Sequence, residues 1–326
     1  LIQRHGIITV PLSFLFDGQL YYDGTISNHD FYDRLRASRH LPTTASPAPG
    51  RFLEAFRQAQ QAGASAALCL TLSANYSGTF GSAVAAVDLA TQELPGFPVR
   101  ALDTRGLAMA HGFTVLAAAR AAEAGADLDE VVITAEAVRD RSHLVGAIDT
   151  MRYLAKGGRV PWIAHWASAL LQIKPILAAN ADKVTAVGRA RTLGTAMERL
   201  VHYLDQRTRP GAPLHVAVMH TDAPERAQEL ALHIRQRFSP AELIFTEFTS
   251  VMGVHIGPGF VGLAFYSETN EAAAVAGGAA DTTPARTRED DVRTLEASIY
   301  PLSPPRPTGS PWPAWPRKIA QGYSWK

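Results

Sequence analysis

The sequence predicts an α/β chain in two domains. Residues 1–141 read as an N-terminal, mostly parallel α/β sheet domain, and residues 142–268 as a C-terminal α/β domain with a mixed, largely antiparallel sheet. Three observations predict this. Short apolar runs alternate with longer helical stretches through the first half, which implies βαβ crossovers. After residue 141 paired runs around short turns interrupt that alternation. After residue 268 the periodicity is lost.

In the first half, residues 7–10 and 13–16 are β-rich, and Asp17-Gly18 joins the second run to Gln19-Leu20-Tyr21. A DG pair between apolar runs signals a hairpin. Residues 42–50 carry Pro42, Pro47, Pro49 and Gly50 and read as a turn-rich loop. A helix follows over 51–62, with Phe52 and Phe56 on one face and Gly63 as its stop. Residues 66–72 form an apolar strand. The stretch 73–79 leads into a helix that runs through Ala90, and 99–103 is a further strand. Helices are expected over 107–123 and 127–140, the second opened by a capping box of Asp127 and Glu130. Ligands of parallel sheets sit at the carboxyl ends of the strands. The loops 73–79 and after Asp103 qualify, and the Thr44 loop can join them.

In the second half, a strand over 142–149 and a helical turn over 150–155 lead to the loop Lys156-Gly157-Gly158-Arg159. A helix is expected over 162–171. Strands 174–179 and 183–191 flank an Asn180-Ala181-Asp182 turn as an antiparallel pair. A helix over 192–207, a strand over 214–221 and a helix over 224–238 follow, with Asp222 as its cap and Glu225 at the box position. Strands 242–248 and 259–267 close the domain, and the connection between them holds His255. Residues 269–326, with eight prolines, are expected to be a disordered tail. The alternative for that tail is that Pro311-Trp312-Pro313-Ala314-Trp315-Pro316 docks a partner.

Composition narrows the function. The chain has 326 residues, with 31 basic and 30 acidic side chains and a net charge of +1. That balance gives no electrostatic footprint for nucleic acid. No apolar run approaches the roughly 20 residues of a membrane span, so no stable membrane insertion is expected. No signal peptide is visible. Cys69 is the only cysteine, which excludes an intramolecular disulfide and a cysteine-based metal site and points to a reducing, cytoplasmic setting.

Several constellations bear on chemistry. Residues 257–262 fit G-x-G-x-x-G by letter but lead into a strand rather than a helix, so the dinucleotide reading fails. Ser77, His255 and Asp103 can be imagined as a hydrolase triad, yet no G-x-S-x-G elbow surrounds Ser77. His215 and His220 lie five apart on one strand and face opposite sides, which suits core or surface histidines better than metal ligands. Two readings of the His255 stretch stand on the residues alone. It is a strand connection whose glycines serve only the turn, or a loop whose Gly253 and Gly257 let backbone approach a ligand. Thr44, Ser77, Thr79 and His255, with Arg159 as the charge, suit an anionic head group with an apolar body behind it.

At this point the chain resembles the DegV family of bacterial fatty-acid-binding proteins. Pro42-Thr43-Thr44-Ala45-Ser46-Pro47 resembles its PTTSQPSP loop, and Ser77-Gly78-Thr79-Phe80 its SGTY segment. The stretch from Asp149 to Arg159 resembles DTLEYLRKGGR, the stretch from Leu171 to Leu177 LLNIKPIL, and the stretch from Gly253 to Gly259 GTHTGPG. The resemblance implies a two-domain fold holding a long-chain fatty acid between the domains, with no other cofactor. It implies that Thr44, Ser77 and His255 hold the carboxylate, with Arg159 near the head group. It further implies that the protein is a carrier and not the catalyst, presenting its ligand to a dihydroxyacetone-kinase-like fatty acid kinase subunit that makes the acyl phosphate. Burying a sixteen-carbon tail could contribute on the order of 12 kcal/mol before costs.

The departures are specific. Family members begin with a strand followed by Asp-Ser-Thr, and this sequence starts after that point, so an excerpt or an impaired first domain is expected. Val254 and Ile256 replace threonines, and Ala45 and Ala48 stand where serines are usual, which implies weaker head-group binding or a changed ligand preference. A Ser77/His255 hydrolase or transferase and a degenerate, non-binding paralogue remain the alternatives.

Overall fold

The computed structural model describes residues 1–163, 173–180 and 183–269. Nearly all of the helix expected over 162–171, the Ala181-Asp182 portion of the turn, and the tail from residue 270 lie outside the described residues. The described residues fall in one compact unit.

The chain first builds a small antiparallel sheet. β1 (Ser13–Phe16) and β2 (Gln19–Tyr22) pair through Asp17 and Gly18, at φ of 48° and 79°. Positive φ at both centres is what a two-residue hairpin turn of type I′ requires. β3 (Thr43–Ala45) adds to the other edge of β1, with Thr44 opposite Phe14. Part of the expected 42–50 loop is therefore a strand. Residues 7–10 form none: Ile7 and Val10 pack against two separate apolar clusters instead of joining a ladder. The sequence reading also passed over α1 (Asn28–Ala37). Ser27 caps it by accepting from the Asp30 backbone N–H, and Phe31, Tyr32 and Leu35 bury its inner side.

A βαβ unit follows. α2 (Pro49–Gln61) stops at Gly63, whose φ is 90°. β4 (Ala67–Thr71), α3 (Thr79–Glu93) and β5 (Val99–Asp103) then form the parallel pair, with Cys69 opposite Ala101. Its apolar side is filled by Phe52 and Phe56 of α2 against Ala83 and Ala86 of α3. α4 (Ala108–Glu123) and α5 (Leu128–Arg139) come next, the latter with both halves of the Asp127/Glu130 capping box.

The larger, mixed sheet has the order β10-β9-β11-β6-β7-β8. Its strands are β6 (His143–Ala147), β7 (Lys174–Ala179), β8 (Val184–Ala190), β9 (Leu214–His220), β10 (Glu242–Glu247) and β11 (Val261–Ser267). Only β9 and β10 pair in parallel. Every residue of β9 and β11 is buried, because both faces are covered. On one face Val216 and Val218 meet Leu200 of α7 (Leu193–Asp205) and Leu230 of α8 (Pro224–Phe238). On the other, Ala217 and Met219 join Phe113 of α4 and Leu154 of α6 (Arg152–Gly157).

Two local expectations are corrected. Asp222 does not cap α8: the N-cap is Ala223, without a side-chain bond, and Asp222, at φ 48°, pairs with Arg36 of α1 instead. The connection around His255 is a helix, α9 (Ser250–Ile256), ended by Gly257 at φ 73°. Packing explains it. A Cβ on Gly253 would stand 2.7 Å from Phe31 and 2.8 Å from the Tyr32 hydroxyl, so glycine lets α9 lie close against α1.

Candidate functional site

A cavity of about 390 Å³ opens where β3, the loop after β4, α9 and one face of the mixed sheet converge. That size is in the usual range for small-molecule sites, roughly 300–1,000 Å³. Its body is apolar: Leu144 and Leu177 come from the sheet, Leu107 from the start of α4, and Phe248, Met252 and Phe260 from the α9 region. Its polar lining includes Thr44 beside His255, Ser46 beside Ser77, and Arg159, whose charge acts on His255.

Each of these is placed by a different element. Thr44 is held on β3 by the β1 ladder. Its hydroxyl lies 3.0 Å from His255 Nε2, although the two residues are 211 apart in sequence. Ser77 precedes α3. Its Oγ lies 3.2 Å from Ser46 Oγ and 2.7 Å from Thr79 Oγ1, and it accepts from the Thr79 backbone N–H at 3.3 Å. Arg159 follows the left-handed Gly158 at the end of α6, and its Nη1 donates to the Gly157 carbonyl at 2.8 Å.

His255 is the electrostatic centre. Burial, with the Arg159 charge added, pushes its pKa down to about 4, so the ring is neutral at pH 7. A neutral imidazole offers one donor and one acceptor. Nε2 meets Thr44, while Nδ1 is buried without a hydrogen-bond partner among the described residues. The triad alternative is not assembled. His255 bonds Thr44 rather than Ser77, and the Asp103 carboxylate is occupied by the backbone N–H groups of Ala74 and Arg105.

The expected residues divide into two sets. Thr44, Ser77, Arg159 and His255 line the cavity. Thr79 stands behind Ser77 and orients it. Gly253 faces α1, and a Cβ on Gly257 would overlap the Tyr153 ring, so both glycines serve close packing of α9. Ser46 was missed by sequence reasoning. Strand alternation continued one residue past β3 puts it on the face of Thr44, a signal that was available.

The chain belongs to the DegV family. The family model, described as uncharacterised proteins of the DegV family, matches residues 1–268. A DegV domain-containing protein of Streptomyces coelicolor is 37% identical over 264 residues, 80% of this chain and 92% of its own length. One from Deinococcus radiodurans is 34% identical over 266 residues, covering 79% and 90%. Among solved structures, a DegV family protein from Thermus thermophilus, described by its fatty acid binding, superposes with a TM-score of 0.75 at 28% identity, covering 82% of this chain and 94% of that one. DegV of Bacillus subtilis, described as a fatty acid binding protein, gives 0.73 at 25% identity, covering 82% and 94%. The expected DegV fold is thus the one found, with a parallel pair and a mixed sheet, and beside them the small antiparallel sheet β2-β1-β3. Among the described residues no helix is long and apolar enough to cross a membrane.

Proposed function

We propose that this DegV family member binds a long-chain fatty acid in the cavity and presents its carboxylate to a kinase partner of dihydroxyacetone-kinase type. The observation that carries the reading is an apolar cavity whose wall holds the hydrogen-bonded pairs Thr44–His255 and Ser46–Ser77 together with Arg159, whose charge acts on His255. Each methylene buried there contributes about 0.8 kcal/mol. A carboxylate without donors would cancel much of that gain. The Thr44, Ser46 and Ser77 hydroxyls, the neutral His255 ring and the Arg159 charge offset the desolvation. The names of the similar solved structures support the same ligand class. The partner would transfer the γ-phosphoryl group of ATP to a carboxylate oxygen, giving acyl phosphate and ADP, while this chain acts as carrier. A cytoplasmic setting and a division of the chain at residue 141, with the ligand at the domain junction, belong to the same proposal.

The test is acyl-phosphate formation with the kinase subunit, ATP and oleate, trapped as the hydroxamate. His255→Ala and Ser77→Ala are each expected to lower the rate about tenfold or more, the value of one hydrogen bond to a charged group. Unchanged rates in both would contradict the head-group role.

A further inference from the structure

Gly146 of β6 and Gly262 of β11 are direct cross-strand partners. A Cβ on either would overlap the ring of Phe260, and one on Gly262 would also stand 2.7 Å from the Val145 carbonyl. The ring therefore fills the place that two side chains would otherwise occupy, against the bare backbone of two strands. It stacks on Phe248 at 4.9 Å between centroids, with 26° between planes. Both rings and Gly146 line the cavity, as does Leu177, which faces Gly146 from β7. The backbone beneath the ring is pinned. The Phe260 N–H donates to Thr221 Oγ1 at 2.9 Å, its carbonyl accepts from the Thr221 N–H at 3.0 Å, and the Gly259 N–H donates to the Thr221 carbonyl at 2.7 Å.

We infer that Phe260, seated on the Gly146–Gly262 pair, sets the length of acyl chain that the cavity accepts. This rests on the proposed fatty-acid reading. The strands close one side of the ring, Phe248 covers another, and the Thr221 bonds hold its backbone. A methyl group added at Gly146 leaves the ring only the cavity to move into. The volume it takes comes from the acyl chain, and each methylene excluded costs about fourfold in affinity. Removing part of the ring has the opposite effect.

The experiment offers the protein an equimolar mixture of dodecanoate, tetradecanoate, hexadecanoate and octadecanoate, and reads the bound population by native mass spectrometry. Gly146→Ala is expected to move that population at least one two-carbon step shorter, a change of about fifteenfold in the ratio of neighbouring acids. Phe260→Leu is expected to move it longer, and the double variant to return it toward wild type. If Gly146→Ala does not fold, Phe260→Leu and Phe260→Ala, which leave the strands intact, carry the test. A wild type that binds the acids while the folded variants keep its distribution overturns this inference alone. A wild type that takes up none of the four overturns the fatty-acid reading, and this inference with it.

Discussion

His255 and His215 are both largely enclosed by protein, and burial disfavours the charged form of each, yet they titrate in opposite directions. His215 lies on β9 with Glu242 on one ring nitrogen and Glu268 on the other, both at 2.9 Å, and stacks on Tyr266 at 4.5 Å. Burial lowers its pKa, but the two carboxylates outweigh that and raise it. Glu242 also receives Arg120 from α4. Burial would raise the Glu242 carboxyl, yet the bonds from His215 and Arg120 bring it down to about 2. Among the described residues, no carboxylate stands beside His255. It has a threonine hydroxyl, an Nδ1 unpaired among those residues and the Arg159 charge, and its pKa falls to about 4. The first region compensates its charges within the protein and ties α4 to β9, β10 and the end of β11. The second withholds that compensation at the wall of a cavity. On the proposed reading, the ligand's carboxylate supplies the missing negative charge.

Breaking the compensated region has the largest expected effect. Glu242→Ala leaves Arg120 and His215 without their shared carboxylate and is expected to lower the unfolding free energy by about 3 kcal/mol. Urea denaturation at pH 7 measures it, and a loss under about 1 kcal/mol would show that the network does not tie these elements together.

Acid sharpens the contrast. The folded-state pKa of His255 lies below its unfolded value of 6.5. Its neutral form therefore supports stability fully above 6.5, and that support is lost as pH falls toward about 4. His215 has the opposite sign, and its contribution is lost as pH rises through its raised pKa. Between pH 7.5 and pH 5, wild type is expected to lose about 2 kcal/mol more than His255→Gln. His215 and His111 are present in both proteins and cancel in that difference. Parallel urea curves for the two would mean that His255 is not held neutral by its surroundings.

The same contrast explains what was legible in the sequence. Elements with local signatures were found: the Asp17-Gly18 hairpin, the Asp127 capping box, and the strand pair β7–β8. Thr44, Ser77, Arg159 and His255, each in a contiguous motif, were singled out as well, and the fold brings them to the wall of one cavity. What escaped depends on distant packing. α9 reads as a turn, since Val251, Val254 and Ile256 are poor helix formers and Gly253 is worse. It is helical because Gly253 fits under Phe31 and Tyr32, more than 200 residues away, and because Asp23 accepts from the Val251 N–H at 3.1 Å. Asp222 has the spacing of a cap, but Arg36 competes for it. His215 gave no local sign of its two carboxylates, which come from β10 and from just beyond β11.

The most direct test of the head-group site compares hexadecanoate with hexadecanol, which share a tail and differ only at the head. Titration calorimetry on wild type and on the Thr44→Val/Ser77→Ala double variant is the measurement. Wild type is expected to prefer the acid by about tenfold or more, and the double variant to lose most of that preference while still binding the alcohol. Equal affinity for acid and alcohol in wild type, or an undiminished preference in the double variant, would contradict a carboxylate held by these hydroxyls.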